Sequence, residues 1–251
     1  MPPTRPLLEI AVHSFQSAQA ALTGGADRME LCSALQTGGL TPGLGLLDLI
    51  LESSTIPVHV LVRPRLGNFI YDGQEFATVL RSVEVCRKNG ASGIVVGFLD
   101  KNYRIERSQL SELIAVAGPL DLTFHRAIDV CSDVFGALDM LMDAGFHRVL
   151  SSGRATTALA GIPMLQKMVA HTADSKLSIM AGAGVTAANV LKILNSTGCD
   201  EIHASAKKAQ TLQDNDTLDI TSVYGSKVTT KWESDIARIK VLKAKVISFA
   251  S

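Results

Sequence analysis

The stretch VHVLVRPRLGNFIYDGQEFATVLRSVEVCRKNGASGIVVGF, residues 58–98, decides the fold. It opens on a short β-branched run, VHVLVR (58–63), and closes on another, GIVVGF (93–98). Between them GQEFATVLRSVEVCRKNG reads as an amphipathic helix that stops at Gly90. Strand, helix, strand is the unit of a parallel sheet. The same unit recurs in both directions. Further strands are expected at LLEIAV (7–12), RMELC (28–32), LTFHR (122–126), RVLSS (148–152), LSIMA (177–181) and EIHAS (201–205). Amphipathic segments lie between them, and several end at a glycine that serves as the usual helix stop: Gly24, Gly90, Gly118, Gly145 and Gly198.

Eight strands, seven intervening helices and an eighth helix over 232–247 (WESDIARIKVLKAKVI) predict a single α/β domain over 1–251, a TIM-type (β/α)8 barrel with its core at 7–206. The rival is an open doubly wound sheet. The turn after the first strand, VHSFQS, has no glycine, so the dinucleotide fingerprint is missing and no nucleotide cofactor is expected. Residues 207–231 are polar and aperiodic. They read as a long loop that covers the barrel mouth or meets a second subunit, with a plain connector as the alternative.

Composition narrows the function. Hydrophobic residues make up 47% of the 251 and charged residues 19%, enough apolar material for a large core. Twenty-four basic residues balance twenty-four acidic ones, which argues against general nucleic-acid binding. No apolar run approaches the length that spans a bilayer, and the opening MPPTRPLLEIAV lacks a secretory pattern. Cys32, Cys86, Cys131 and Cys199 show no paired spacing and read as reduced thiols of a cytoplasmic protein.

Ionisable residues inside barrel strands face either the helix layer or the barrel interior, and only those facing inward near the C-terminal mouth reach solvent and ligand. Two carboxylates, Glu9 and Glu30, two arginines, Arg63 and Arg65, and two or three imidazoles are then expected to converge on one cavity. In an enzyme, Arg63 and Arg65 would clamp an acidic group, Glu30 or His125 would serve as general acid/base, and Glu9 would orient or pair with an arginine. A structural ion network is the alternative for Glu9, Glu30 and Arg63, and a satisfied core histidine the alternative for His59. His147 and His171 read as surface residues. After the seventh strand, MAGAGVTAAN places Gly182 and Gly184 where backbone can approach an anion, with Thr186 as helix cap. Ser205 ends the eighth strand beside them. Simple tight turns are the alternative. No Lys lies in the core strands, which excludes a Schiff-base lysine there.

GGADRMELCSALQTGGLTP (24–42), VHVLVRPRLGNFIY (58–71), LTFHRAID (122–129), RVLSSG (148–153), MAGAGVTAANV (180–190) and EIHASA (201–206) together resemble the copper homeostasis protein CutC family. The resemblance implies a (β/α)8 barrel, cytoplasmic residence, homo-oligomers and a role in copper binding or handling, with cuprous ion as the bound metal, and a cluster near the mouth drawn from Glu9, Glu30, Arg63, Arg65, His125, Arg126 and His203. Family members often read EVCVDS in the first strand, whereas this chain reads EIAVHS, with Ala11 in place of the thiol. Cys32 then remains as the thiolate candidate, joined by His13 as a metal ligand. Two functions stand side by side: copper handling, and a lyase, isomerase or hydrolase acting on a small phosphorylated or anionic metabolite. A scaffold acting through partners is the third.

Overall fold

The computed structural model describes residues 5–211 and 230–249. Eight strands close into a parallel barrel: β1 (Leu7–Val12), β2 (Arg28–Leu31), β3 (Val58–Leu61), β4 (Gly93–Val96), β5 (Asp121–Phe124), β6 (Arg148–Ser151), β7 (Ser178–Ala181) and β8 (Glu201–Ala204). Each pairs with its sequence neighbour, and β8 returns to β1 with Glu9 opposite His203. Helices α1 (Phe15–Gly24), α2 (Leu44–Ser53), α3 (Gly73–Lys88), α4 (Arg107–Ala117), α5 (Val134–Asp143), α6 (Ile162–Thr172) and α7 (Val190–Thr197) make the crossovers.

Strand alternation sorts the side chains. Leu8, Ile10 and Val12 of β1, Met29 and Leu31 of β2, and Val58 and Val60 of β3 join the large apolar core shared with the helices. The intervening residues point inward, and the interior holds charged groups as well as a small apolar cluster of Cys32, Leu61 and Val95.

Local signals set the helix ends. Ser14 caps α1 by accepting from the Ser17 amide, and Asp72 with Glu75 forms a full capping box on α3. The stop of α1 is Gly25, at φ 85°, rather than Gly24. Gly24 is the last helical residue, and a Cβ there would lie 2.4 Å from Ile239. Its role is close packing against the last helix.

Two expectations change at the C-terminal end. Part of the segment read as a loop forms an antiparallel ribbon, β9 (Lys207–Thr211) with β10 (Thr230–Ser234). The middle of that segment lies outside the described residues. The last helix, α8 (Ile236–Ser248), begins four residues later than expected because Asp235 caps it through the Arg238 amide. Trp232, Glu233 and Ser234 belong to β10 instead, and Glu233 is buried where it accepts from the hydroxyls of Ser14 and Ser17, both at 2.5 Å.

Candidate functional site

Two ionic layers occupy the barrel interior. The lower one centres on Arg28, the first residue of β2. Its Nε donates to Glu9 Oε2 at 2.5 Å, and its Nη2 donates to Glu201. Arg148, the first residue of β6, donates to both Glu201 oxygens at 3.2 Å, to Asp121 at 3.2 Å and to the Thr123 hydroxyl at 3.2 Å. His59 lies against the same guanidinium at 3.5 Å. Glu9 is fully buried here and is not among the residues that line the cavity at the barrel mouth. Burial raises its pKa, but Arg28 and His203 outweigh that and hold the carboxyl well below the usual range. The expectation that Glu9 faces the mouth is therefore corrected. It belongs to a structural network, and its partner is Arg28 rather than Arg63.

Above this layer the barrel opens into a cavity of about 1180 Å³ at the C-terminal ends of the strands. Glu30, Arg63, His125, Arg126 and His203 all line it. His203 Nδ1 is 2.7 Å from Glu9 Oε1 and 3.9 Å from Glu30 Oε2. Burial lowers the pKa of His203, but the Glu30 charge and the Glu9 hydrogen bond overcome it, so the imidazole sits above its ordinary value. Glu30 is 6% exposed, and its Oε2 has no hydrogen-bond partner. Burial, helped by the Glu9 charge, pushes its pKa up to about 7.

His125 follows β5, and its Nδ1 accepts from the Ala127 amide at 3.1 Å. That bond leaves the ring proton on Nε2, which is buried without a partner. Burial, followed by the Arg63 charge, brings its pKa down to about 3, so the ring is neutral. The ring fits because Gly97 lacks a side chain, since a Cβ there would lie 2.2 Å from the imidazole. Arg63 is held by backbone carbonyls, donating to Gly39 at 3.1 Å and Gly67 at 2.9 Å, and its Nε has no partner. Arg126 lies in the 3-10 turn Arg126–Val130, not in β5, and bonds Asp129 at 2.9 Å and Ser152 at 2.8 Å.

Other expected residues fall elsewhere. Arg65 points away from the cavity to Glu75, Asn68 and the Ile70 carbonyl, so no paired clamp with Arg63 exists. Cys32 is 0% exposed and packed on Leu61 and Val95. Burial and the Glu30 charge raise its thiol pKa, which keeps it protonated. His13 lies near Glu233 with its Nδ1 unpartnered. Among the described residues the one group of three candidate ligands within 4.8 Å of each other is Glu9, Glu30 and His203, which excludes both Cys32 and His13. Gly184 (φ 69°) and Ser205 line the cavity, whereas Gly182 packs beneath it against Leu150 and His203. Thr186 is not the helix cap. Asn189 precedes α7, and its Oδ1 accepts from the Thr186 amide.

Sequence reasoning missed Arg28 and Arg148. Arg28 shares the strand parity of Glu30, and that signal was available. It also missed the face of α8 at Ala237, Arg238 and Val241, which completes the cavity wall beside the β7–α7 loop. No period or motif announces that α8 reaches the site.

A closed parallel barrel with acid, imidazole and guanidinium groups gathered at its C-terminal mouth belongs to the TIM-type class, with its site where that architecture places ligand chemistry. The CutC family model matches residues 6–208, and the chain belongs to that family. A family protein CutC from Photobacterium profundum is 42% identical over 203 residues, covering 81% of this chain and 82% of that protein. The human copper homeostasis protein cutC homolog is 39% identical over 204 residues, covering 81% of this chain and 74% of the human protein. The crystal structure of the putative copper homeostasis protein CutC from Streptococcus agalactiae superposes with a TM-score of 0.75 at 29% identity, over 80% of this chain and 98% of that one.

Proposed function

We propose that this chain works in copper homeostasis, binding copper as cargo at the barrel mouth through Glu30 and His203. Family membership and the name carried by the human relative support the copper role. The observation that carries the site is the orphaned, buried Oε2 of Glu30, in one group of candidate ligands with His203, whose Nδ1 is held by Glu9. A buried carboxylate oxygen without a partner is costly unless something completes it. Glu9 supports the arrangement, because a ligating imidazole commonly gives its other ring nitrogen to a carboxylate that fixes its orientation.

The donor set also selects the oxidation state. Cuprous ion prefers thiolates, while imidazole and carboxylate suit cupric ion. Cys32 is sealed and protonated, so the chemistry favours cupric copper over the cuprous ion that the resemblance implies. The same reading takes the protein to be a cytoplasmic homo-oligomer. Its four cysteines are free and buried, and among the described residues no helix is long and apolar enough to cross a membrane.

Competition against a chelator tests this. Glu30→Gln and His203→Asn each weaken cupric binding at least about tenfold, and Cys32→Ala leaves it unchanged. Affinity that depends on Cys32 but not on Glu30 overturns the assignment.

A further inference from the structure

The copper reading uses Glu30 and His203 and leaves much of the cavity lining without a role. Three observations converge there. His125, 6% exposed, presents an unpartnered Nε2–H on a neutral ring, seated by Gly97 and by Phe69 at 4.8 Å between ring centroids. The β7–α7 loop lines the same cavity from Ala183 to Ala188. Ser151 accepts the Gly182 amide and Asn189 accepts the Thr186 amide, while among the described residues no partner takes the N–H groups of Gly184, Val185, Ala187 or Ala188. Ala183 and Gly184 both hold left-handed backbone, at φ 78° and 69°. The loop therefore turns sharply at the cavity with several amides unpaired, and unpaired amides of a turn can form an anion-binding concavity. Finally, the charged lining is Arg63, Arg126, Lys207 and Arg238 against Glu30 and Asp129, and Asp129 is paired with Arg126, which leaves three cations against Glu30. The cavity is net cationic.

We propose that the mouth also binds a small phosphomonoester, its phosphate held by the backbone amides of 184–188 and a carbonyl or hydroxyl oxygen accepting from His125 Nε2–H. A phosphate offers several acceptor oxygens to the several free amides. The uncharged imidazole suits a neutral oxygen, because a neutral ring donates without adding a second cation. The cavity has room for a metabolite of that size.

Titration of isotope-labelled, copper-free protein with sn-glycerol 3-phosphate, inorganic phosphate and glycerol tests this by amide chemical shift. Glycerol 3-phosphate produces saturable shifts at Gly184, Val185, Ala187 and Ala188, and glycerol produces none. Ala188→Asp, which adds a negative charge at an exposed rim position, weakens both phosphates at least about tenfold. His125→Phe keeps a ring of similar shape without the donor. It weakens glycerol 3-phosphate about fivefold while sparing inorganic phosphate. Arg65→Gln removes a cation outside the cavity and changes nothing. Should His125→Phe fail to fold, Ala188→Asp decides alone. Absence of saturable shifts, equal binding of glycerol, or indifference to Ala188→Asp overturns the proposal.

Discussion

Replacing Arg28 by methionine fills most of its volume and strands two carboxylates inside the barrel. Arg28 is the shared counter-charge of Glu9 and Glu201, and the three side chains are between 0% and 7% exposed. Both glutamates raise the guanidinium pKa above its usual value despite burial, so the pairing outweighs desolvation. Removing one partner of a buried pair costs about 3–5 kcal/mol. Glu201 keeps Arg148 and Glu9 keeps His203, which places the loss near the lower end, about 3–4 kcal/mol. At about 2–4 °C per kcal/mol for a chain of this size, the melting temperature falls by roughly 6–16 °C. Urea unfolding followed by circular dichroism reads this as a lower midpoint with an unchanged slope. Neutralising the stranded acid returns part of the loss, so Arg28→Met with Glu9→Gln costs less than the sum of the single changes by about 1–2 kcal/mol. A loss under about 1 kcal/mol, or strict additivity of the two substitutions, refutes the view that this network is a paired structural element.

Between about pH 4.5 and 6.5, three buried groups, His59, His125 and Glu30, set how stability changes with pH. His59 and His125 are neutral, each lowered to about 3 chiefly by burial. The unfolded chain takes up their protons below about 6.5 while the fold refuses them, so their contribution is whole above that pH and is lost as pH falls. Glu30, raised to about 7, runs the other way, because the fold keeps a proton that the unfolded chain gives up. Between about pH 4.5 and 6.5 the net is about one proton, or about 1.4 kcal/mol per pH unit. His59→Phe flattens the slope and Glu30→Gln steepens it, measured as urea midpoint against pH. Flattening by Glu30→Gln contradicts the assignment. Gly97→Ala drives a Cβ into the His125 ring and costs about 1–3 kcal/mol by thermal melting. An unchanged melting temperature shows that Gly97 does not position the ring.

The barrel was readable because its strands must bury one face on the helix layer, which writes Ile, Leu and Val at alternate positions such as Leu8, Ile10 and Val12. The β9–β10 ribbon was not readable, since β9 is mostly exposed and its polar residues carry no buried face. Within the site, Glu30, Arg63, His125, Arg126 and His203 could be found because charge inside a strand pattern is unusual. Depth along the strand could not be found the same way. Glu9 and Glu30 look alike in sequence, yet the register opposes Glu9 to Arg28 and Glu30 to His59. That offset puts one acid in an ion network and leaves the other facing the cavity. Arg65 misled because its partner Glu75 belongs to the capping box of α3, a local interaction that draws the guanidinium outward.

Electron paramagnetic resonance and X-ray absorption of protein loaded with one equivalent of cupric ion test the proposed site most directly. The account predicts oxygen ligands with nitrogen coupling from one imidazole, the coupling vanishing in His203→Asn and no sulfur in the coordination sphere. A sulfur ligand that disappears with Cys32→Ala, or a spectrum indifferent to His203→Asn, contradicts it.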